Sequence, residues 1–256
     1  MRKKDAAALL REKSLQYNRP EFVGADPIQI PRSFSRKEDI EIAGFLAAVI
    51  AWGQRVTIIN NAERLMDFMG REPHRFVTDF AESDLKPFGK FVHRTFNGDD
   101  AVTFMYALRR IYEEEGGLEN LVARCFREDR RTPGLGWHLF KAAFFKVPHL
   151  PRTRKHLPDP VKGSAAKRMN MYMRWMVRRD NAGVDFGIWD SPDPSDLYIP
   201  LDVHTSRTAR KLGLLKRKQN DWKAVLELTE ALKRIEPGDP VSLDFGLFGL
   251  GVFEKF

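Results

Sequence analysis

The chain has 256 residues, 43% of them hydrophobic, which is enough to bury a large core as one big domain or two small ones. Its single cysteine, Cys125, excludes a disulfide framework and any all-cysteine metal or iron–sulfur site, and its helical setting predicts a small buried apolar residue. The longest apolar run, residues 42–52, is far shorter than the roughly 20 residues that span a bilayer. The chain starts with charged residues that run into an amphipathic helix, unlike a signal peptide. We therefore expect a soluble, cytoplasmic protein without membrane contact.

The net charge of +8 is concentrated in one region of the chain. Residues 151–220 contain 15 Lys and Arg side chains against seven Asp, an excess of eight, whereas the rest of the chain is balanced. The basic residues there alternate with aromatic residues and glycine turns. A basic face of this kind is typical of nucleic-acid-binding proteins, the alternative being a protein that is merely basic and soluble.

Hydrophobic periodicity predicts helices along the whole chain. They cover residues 5–17, 36–52, 57–69, 101–115, 118–126, 136–146, 165–179, 203–212, 222–235 and a last one from about 240 to 251. The segment 40–52 is apolar nearly all round, which is typical of a buried central helix. The sequence has no apolar–polar alternation long enough for a useful strand, and the predicted fold class is all-α.

Residues with capping side chains mark several predicted helix ends. Ser35 precedes a glutamate at the spacing of a capping box, and Gly70 suits the position just after a helix. Ser164 is predicted as the N-cap of the helix that contains Lys167, which places Lys167 third in that helix. Asp202 is predicted as the N-cap of the next helix.

Lys167 is a candidate for covalent chemistry because it lies in the first turn of a helix. The positive end of the helix dipole, together with the nearby Lys162 and Arg168, disfavours the charged ammonium and so favours the neutral amine. A neutral amine is the form that acts in nucleophilic and Schiff-base chemistry. The alternative is an outward-pointing lysine that contacts a phosphate.

The turn before that helix predicts an anion site. Gly163, Ser164 and Ala165 precede the helix start, where free backbone N–H groups bind phosphate. His204 and Arg207, one turn into the following helix, are either further phosphate contacts or ordinary helix surface. The six histidines are scattered without a pair at metal-ligand spacing, so we expect no metal site.

Three segments together resemble the helix-hairpin-helix DNA glycosylase superfamily. Gly-Ser-Ala-Ala-Lys-Arg-Met-Asn at 163–170 resembles its hairpin and second helix, whose motif reads roughly Leu-Pro-Gly-Val-Gly-x-Lys-Thr-Ala. Leu-Asp-Val-His-Thr-Ser-Arg at 201–207 resembles its Val-Asp-Thr-His-x-x-Arg segment, and Ala-Val-Ile-Ala-Trp-Gly-Gln-Arg at 48–55 resembles its Leu-Leu-Ser-x-Gln segment. The interval between the lysine and the aspartate of these motifs is more similar to archaeal oxoguanine glycosylases than to endonuclease III. The whole chain also resembles an uncharacterised bacterial protein family placed beside these enzymes.

The resemblance implies a helix-hairpin-helix DNA glycosylase-like fold, all-α, with two helical subdomains and a cleft between them. We expect one glycosylase-like unit over residues 1–256. Its subdomains would be a central helical bundle with the hairpin at 55–180, and a second part formed by 1–54 packed with 181–256. Ala165 replaces the second hairpin glycine, a position where a positive φ would be strained for alanine. The iron–sulfur cysteines of endonuclease III are absent, so we expect no iron–sulfur cluster and no other cofactor.

The resemblance also implies roles for individual residues. Lys167 would attack C1′ of a flipped nucleotide and form a Schiff base that permits strand cleavage. Asp202 would orient or deprotonate that amine and stabilise the oxocarbenium-like sugar. Gln54 would fill the gap left by the extruded base. The expected DNA-binding residues are Gln54, Arg55, Lys162, Gly163, Ser164, Ala165, Arg168, His204 and Arg207.

The function predicted in this way is a base-excision DNA glycosylase with lyase activity that acts as a monomer on damaged duplex DNA. A second class is a non-catalytic nucleic-acid-binding protein on the same scaffold, with structured RNA as a further partner. A third class is a helical adaptor for other proteins. A binder would show salt-dependent affinity without turnover, and an adaptor would show no such affinity. The aromatic residues Trp52, Trp175, Phe186 and Trp189 are either core residues or base-stacking residues of a pocket.

Overall fold

The computed structural model describes residues 3–129 and 131–256, and within these the protein is mostly helical, so the all-α fold class is confirmed. The helices are α1 Lys3–Tyr17, α2 Lys37–Val49, α3 Arg55–Phe68, α4 Pro73–Asp79, α5 Lys86–Gly89, α6 Gly98–Glu114, α7 Leu118–Arg127, α8 Leu135–Phe144, α9 Lys167–Val177, α10 Val203–Lys211, α11 Trp222–Lys233 and α12 Asp244–Val252. One antiparallel hairpin, β1 Val92–His93 and β2 Phe96–Asn97, is the strand pairing found in the described ranges. Met1 and Arg2, which begin the segment that we interpret as unlike a signal peptide, lie outside the described residues.

The chain forms two compact units whose bounds differ from the predicted subdomains. Unit 1 combines the described part of residues 1–24 with residues 159–256, and unit 2 is the continuous segment 25–158. The sequence-based division at 54/55 and 180/181 assigns the hairpin before α9 to the central bundle. In the structure that hairpin belongs to unit 1, where the amide of Trp222 donates to the carbonyl of Gly163 at 3.1 Å and ties it to the start of α11. The cleft between subdomains stays a prediction.

Helix α2 is the buried centre of unit 2. Its residues 40–49 are all buried, as the nearly continuous apolar sequence predicts, and α3 and α4 pack against it. The ring of Phe45 lies 5.4–6.1 Å from the rings of Phe104, Phe140 and Phe144. Aromatic pairs at these separations add to the burial free energy. The loop that follows α2 is therefore attached to a closely packed part of the core.

Helix α12 is the buried centre of unit 1 and packs against both α1 and α10. Glycines on α12 allow this close approach. A β-carbon at Gly246 would lie 2.8 Å from the carbonyl oxygen of Leu10, and one at Gly251 would lie 2.8 Å from Oγ1 of Thr208. Separations this short leave no room for a side chain. Because Asp244 is the first residue of α12, the same packing encloses its side chain.

The helix ends show which capping predictions hold. Asp202 caps α10, and Gly70 follows Met69, the C-cap residue of α3, with a φ of 61°, so both predictions are confirmed. Ser35 as the N-cap of α2 is wrong, because α2 has Arg36 at that position without a side-chain cap. The glutamate of the expected capping box, Glu38, instead accepts a hydrogen bond from Nε of Arg36 at 2.9 Å. The acid is thus engaged by its basic neighbour.

Candidate functional site

Lys167 is the first residue of α9. The N-cap before it is Ala166, whose φ of 49° and ψ of 29° are left-handed. The predictions of Ser164 as N-cap and of Lys167 at the third position are therefore wrong, and the positive φ in this turn is at Ala166 and not at Ala165. Ser164 Oγ accepts from the Ala166 amide at 3.3 Å, which closes the turn and leaves the helix uncapped. The half-buried amine of Lys167 lies 3.3 Å from Sδ of Met171, a weak acceptor, so no strong partner holds it.

Asp202 projects from the start of α10. Its Oδ1 accepts a hydrogen bond from the amide of Thr205 at 2.9 Å, which is the capping geometry. The side chain is half-exposed, and the next residue, Val203, is 68% exposed. No hydrogen bond to the second carboxylate oxygen is made from the described part of the chain. One oxygen therefore serves the helix while the other is available to a ligand.

A third helix start carries a residue that sequence reasoning missed. Asp244 begins α12 and is only 6% exposed. Nη1 of Arg174 donates to its Oδ2 at 2.6 Å, whereas its Oδ1 is buried and has no hydrogen-bond partner among the described residues. Burial raises the pKa of the Asp244 carboxyl to about 6; the Arg174 cation opposes this rise, the Asp202 carboxylate adds to it, and the Lys167 ammonium opposes it.

Asp244 lies near both predicted catalytic residues, Lys167 and Asp202. Both Lys167 and Asp202 lie near enough for their charges to act on its carboxyl. They do not form an ion pair with each other within 4 Å in the part of the chain that the structure describes. The structure therefore brings three helix starts, those of α9, α10 and α12, to one locality of unit 1. Two of them were predicted, and the third has no sequence motif that distinguishes it from a core residue.

Buried arginines hold this locality in place. Nε of Arg174 donates to Oδ1 of Asp185 at 3.2 Å, and Nη1 of Arg178 donates to Oδ2 of the same carboxylate at 2.9 Å. Both guanidinium groups also lie over the ring of Phe245, at 4.4 Å for Arg174 and 5.4 Å for Arg178. Each charge is thus paired and hydrogen-bonded, as burial requires. Arg174 also pairs with Asp244, and Arg178 with Asp180 and Asp239, so each buried cation has more than one carboxylate partner.

The turn before α9 offers fewer free amides than predicted. The amide of Gly163 donates to the carbonyl of Pro160 at 2.8 Å, and that of Ser164 donates to the carbonyl of Asp159 at 3.2 Å. These two amides are occupied within the chain, whereas the amide of Ala165 has no acceptor among the described residues. Since α9 lacks a side-chain cap, the amide of its first residue, Lys167, also has no acceptor among the described residues and is available to an anion.

The predicted basic contacts of unit 1 differ in exposure. Lys162 and His204 are exposed, whereas Arg168 is half-buried. Burial lowers the pKa of the Arg168 guanidinium to about 10, so the group stays charged at neutral pH. Arg207 is exposed but donates through Nη2 to the carbonyl of Gly251 at 3.0 Å. Lys162 and His204 are therefore the more accessible contacts.

In unit 2, Gln54 and Arg55 stand at the start of α3. Gln54 is the N-cap residue, and neither of the two exposed side chains bonds to another described residue. The preceding Gly53 has a φ of 111°, and a β-carbon there would lie 3.0 Å from Nη1 of Arg94. This glycine therefore lets the loop approach the tip of the β1–β2 hairpin.

The hairpin tip adds an arginine that the sequence did not reveal. Arg94 is exposed, has a φ of 55°, and forms no ion pair among the described residues. The hairpin is attached to the loop through His93, whose Nε2 lies 3.2 Å from the carbonyl oxygen of Trp52. Gln54, Arg55 and Arg94 thus form one polar surface on unit 2. A motif search could not find Arg94, because its position depends on this packing.

The remaining predictions fall in the core or outside the pockets. Trp175 and Trp189 are buried core residues, whereas Trp52 and Phe186 are half-buried. Cys125 is buried as predicted, and burial raises the pKa of its thiol to about 11. Unit 1 has a pocket of about 580 Å³, and unit 2 has one of about 310 Å³. Lys167, Asp202 and Asp244 do not line either pocket.

Two classes of feature are not found in the described residues. No group of three or more His, Cys, Asp or Glu side chains is arranged to hold a metal ion within them. No helix in those same ranges is long and apolar enough to cross a membrane.

Comparison with known proteins gives one match. A family model described as "Protein of unknown function (DUF2400)" matches residues 26–253. No curated protein and no solved structure matches the chain.

Proposed function

This chain belongs to the DUF2400 family, and we propose that it is a DNA-binding base-excision glycosylase with lyase activity. In this proposal Lys167 forms a Schiff base with the sugar of a damaged nucleotide. The observation that carries the proposal is that the charges of Lys167 and Asp202 both act on the buried carboxyl of Asp244. An amine and an acid from two separate helix starts therefore share one locality of unit 1.

The chemistry divides between the two side chains. The amine of Lys167 is held by a thioether alone, so it can turn toward C1′ at little cost. The capping bond to Asp202 occupies one oxygen and fixes the carboxylate, whose other oxygen can face the sugar. A carboxylate in this position stabilises the positive charge that develops on the sugar as the base leaves.

Exposed basic and polar side chains supply the binding of DNA. The surface of Gln54, Arg55 and Arg94 suits contact with a duplex, because these groups have no partner within the described chain and are free for phosphate or base edges. Flipping a nucleotide costs a few kcal/mol, which the release of counterions from the backbone offsets. We propose that the protein acts as a cytoplasmic monomer on damaged duplex DNA, without a cofactor.

Borohydride trapping tests the proposal. We expect the wild-type protein to form a covalent adduct with an abasic oligonucleotide, or with one member of a broad lesion panel, when borohydride is present. Lys167→Ala should abolish the adduct, because reduction traps a Schiff base on the amine that forms it. Lys223→Ala is the matched control, since this lysine of unit 1 is exposed and lies outside the predicted DNA contacts, so it should still trap. Equal trapping by wild type and Lys167→Ala, or no trapping by the wild type on the panel, would rule the proposal out.

A non-catalytic nucleic-acid-binding protein is the second candidate. A protein that kept this fold but does not catalyse would not need Lys167 and Asp202 to pair. The two residues form no ion pair with each other within the described part of the chain, which favours this candidate. In that case Lys167→Ala should reduce affinity modestly, like the loss of any phosphate contact, and no variant should change turnover. Gel-shift and trapping assays on the same oligonucleotides separate the two candidates.

A further inference from the structure

Unit 1 contains a pocket of about 580 Å³ that the proposed chemistry does not use. It is lined by α1, by the turn after α10 and by the end of α11, so all of its walls belong to one compact unit. A volume of about 300–1,000 Å³ is typical of sites that enclose small molecules. Lys167, Asp202 and Asp244 lie outside its lining. The pocket is therefore a separate candidate site for a ligand.

The walls of this pocket are aliphatic. Ala7 of α1 and Ala231 of α11 line it, and their small side chains leave space that larger residues would fill. The half-buried side chains of Leu214 and Ile235 add further apolar surface. No aromatic side chain lines the pocket in the described part of the chain, so a nucleobase would find no ring to stack on. The walls therefore suit a ligand with an aliphatic body, which gains free energy by leaving water.

The turn after α10 is held in place by backbone hydrogen bonds and by one acid. Gly213 has a φ of 72°, a left-handed conformation that ends the helix, and the amide of Leu214 donates to the carbonyl of Ala209 at 2.9 Å. Oε1 of Glu227, on α11, accepts from the amide of Lys216 at 2.6 Å, and its Oε2 accepts from the next amide at 3.3 Å. Both oxygens of the acid in the pocket lining are therefore engaged by the chain, and the turn is attached to α11.

Basic side chains surround the opening of the pocket. Lys216 and Arg234 line it and are exposed, and neither side chain forms an ion pair or a hydrogen bond among the described residues. Arg11 also lines it, but its Nη2 donates to the carbonyl of Ile235 and its Nε lies 3.3 Å from Oε2 of Glu236. Two cations are thus available to an anion at the edge of an aliphatic pocket.

We propose that this pocket binds a carboxylate with an aliphatic chain. The carboxylate pairs with the guanidinium of Arg234, whose planar N–H groups match its two oxygens, and Lys216 adds a second positive charge. The chain of the ligand lies against the aliphatic walls. A DNA phosphate would contact the two cations but leave those walls in water, whereas an uncharged apolar molecule would leave the cations unused. The site is independent of the proposed glycosylase activity, so the result of borohydride trapping does not bear on it.

NMR titration of the whole ¹⁵N-labelled protein with octanoate tests the proposal. We expect saturable shifts of the amide signals of Ala7, Leu214 and Ala231. Acetate has the charge without the chain and should give no saturable shift of these signals. Octan-1-ol has the chain without the charge and should bind about tenfold more weakly, because it cannot pair with the two cations. The absence of saturable shifts with octanoate, or equal affinity for octan-1-ol, would overturn the proposal.

Variants of the same pocket separate the two parts of the site. Replacing both exposed cations, in Arg234→Gln with Lys216→Gln, should weaken octanoate binding about tenfold, as the loss of two exposed charge pairs does. Lys218→Gln is the matched control, since this exposed lysine is two residues from Lys216 but does not line the pocket. Ala7→Phe should fill the pocket and abolish the shifts. Unchanged affinity in the charge variant, which alters exposed residues alone and so keeps the fold, would refute the carboxylate ligand.

Discussion

At the scale of single residues, Asp244 couples folding to pH. Its carboxyl has a pKa of about 6 in the folded protein, raised from the ordinary value of 3.8 mainly by burial. A raised pKa means that the stability contributed by this group is fully present below about pH 3.8 and is lost as the pH rises through 6. Above pH 6 the folded state has to hold a buried carboxylate whose Oδ1 has no donor among the described residues.

We therefore expect the pH profile of stability to flatten in Asp244→Asn. Between pH 4 and pH 8 the free energy of unfolding of wild type should fall by about 3 kcal/mol relative to this variant. Urea titrations followed by tryptophan fluorescence at each pH measure the difference. Asp221→Asn is the control, because hydrogen bonds from Arg217 lower the pKa of Asp221 to about 2, so its contribution is constant above pH 4. Parallel profiles for wild type and Asp244→Asn would contradict the expectation.

Sequence reasoning succeeded for residues whose role is local and missed those whose role is set by packing. Asp202 is recognisable because a helix cap needs only an acid followed by a helical segment. Ser164 fits the same rule but closes the hairpin turn by bonding to the Ala166 amide, which moves the helix start by two residues. Asp244 is preceded and followed by apolar residues, and its burial depends on α1 and α10, which are distant in sequence.

At the scale of elements, a buried acid at the start of α6 supports the loop that carries Gln54. Oδ2 of Asp100 lies 3.1 Å from Nε2 of His156, and the His156 ring stacks on that of Trp52 with centroids 6.0 Å apart. Burial by itself would raise the pKa of the Asp100 carboxyl, but hydrogen bonds from Thr153 and the Asn97 amide and the charge of His156 hold it below its ordinary value. The loop after α2 is therefore attached to α6 through this cluster.

Removing the Asp100 charge should destabilise unit 2. Asp100→Asn replaces one oxygen of this buried carboxylate by an N–H donor among the groups that now donate to it, Oγ1 of Thr153 and the amide of Asn97. Leaving a buried polar group unpaired costs about 1–3 kcal/mol. The guanidinium of Arg152, which also pairs with Asp100, keeps its bonds to Asp99 and Asn97. Asp99→Asn is the matched control, since Asp99 is 66% exposed and pairs with the same arginine at 3.1 Å. An exposed pair contributes less than about 1 kcal/mol. Urea denaturation of both variants measures the difference, and equal losses would show that Asp100 does not anchor the loop.

The bodies of the long helices were predictable, whereas the short elements were not. The apolar residues of α2, α6 and α9 follow helical spacing, so their positions were predicted to within a few residues. The helices α4 and α5 and the two-residue strands are too short to produce a periodic signal. The hairpin is fixed by contacts of His93 and Phe96 with the rest of unit 2, and these contacts are tertiary.

At the scale of the whole molecule, the charge of +8 predicts how binding should respond to salt. Each Lys or Arg that neutralises a phosphate releases a counterion, so the affinity for DNA falls linearly on a log–log plot against salt concentration. The sequence is enough to predict this salt dependence, because it gives the net charge. It does not show which basic side chains are available to DNA, because their pairing with carboxylates and carbonyls depends on the fold.

We expect Arg55→Ala to reduce the steepness of that salt dependence by about one unit, as the loss of one phosphate contact does. Lys233→Ala is the control, because Lys233 lies 3.8 Å from Glu230 and is outside the predicted contacts. Fluorescence anisotropy with a labelled duplex at several salt concentrations measures both slopes. An affinity that is independent of salt would exclude a nucleic-acid partner and favour the adaptor alternative.

The glycines of α12 have a consequence for the order in which the protein forms during synthesis. Helix α1 can take up its native neighbours only after α12 has been made, more than 200 residues later, because α12 provides the surface that its Leu10 and Tyr17 touch. Unit 2, the continuous segment 25–158, contains all of its own elements and does not depend on a segment synthesised later. Because domains generally fold as units during synthesis, we expect unit 2 to fold before α12 is available to pack against α1. A side chain in place of Gly246 would then prolong the exposure of the apolar face of α1.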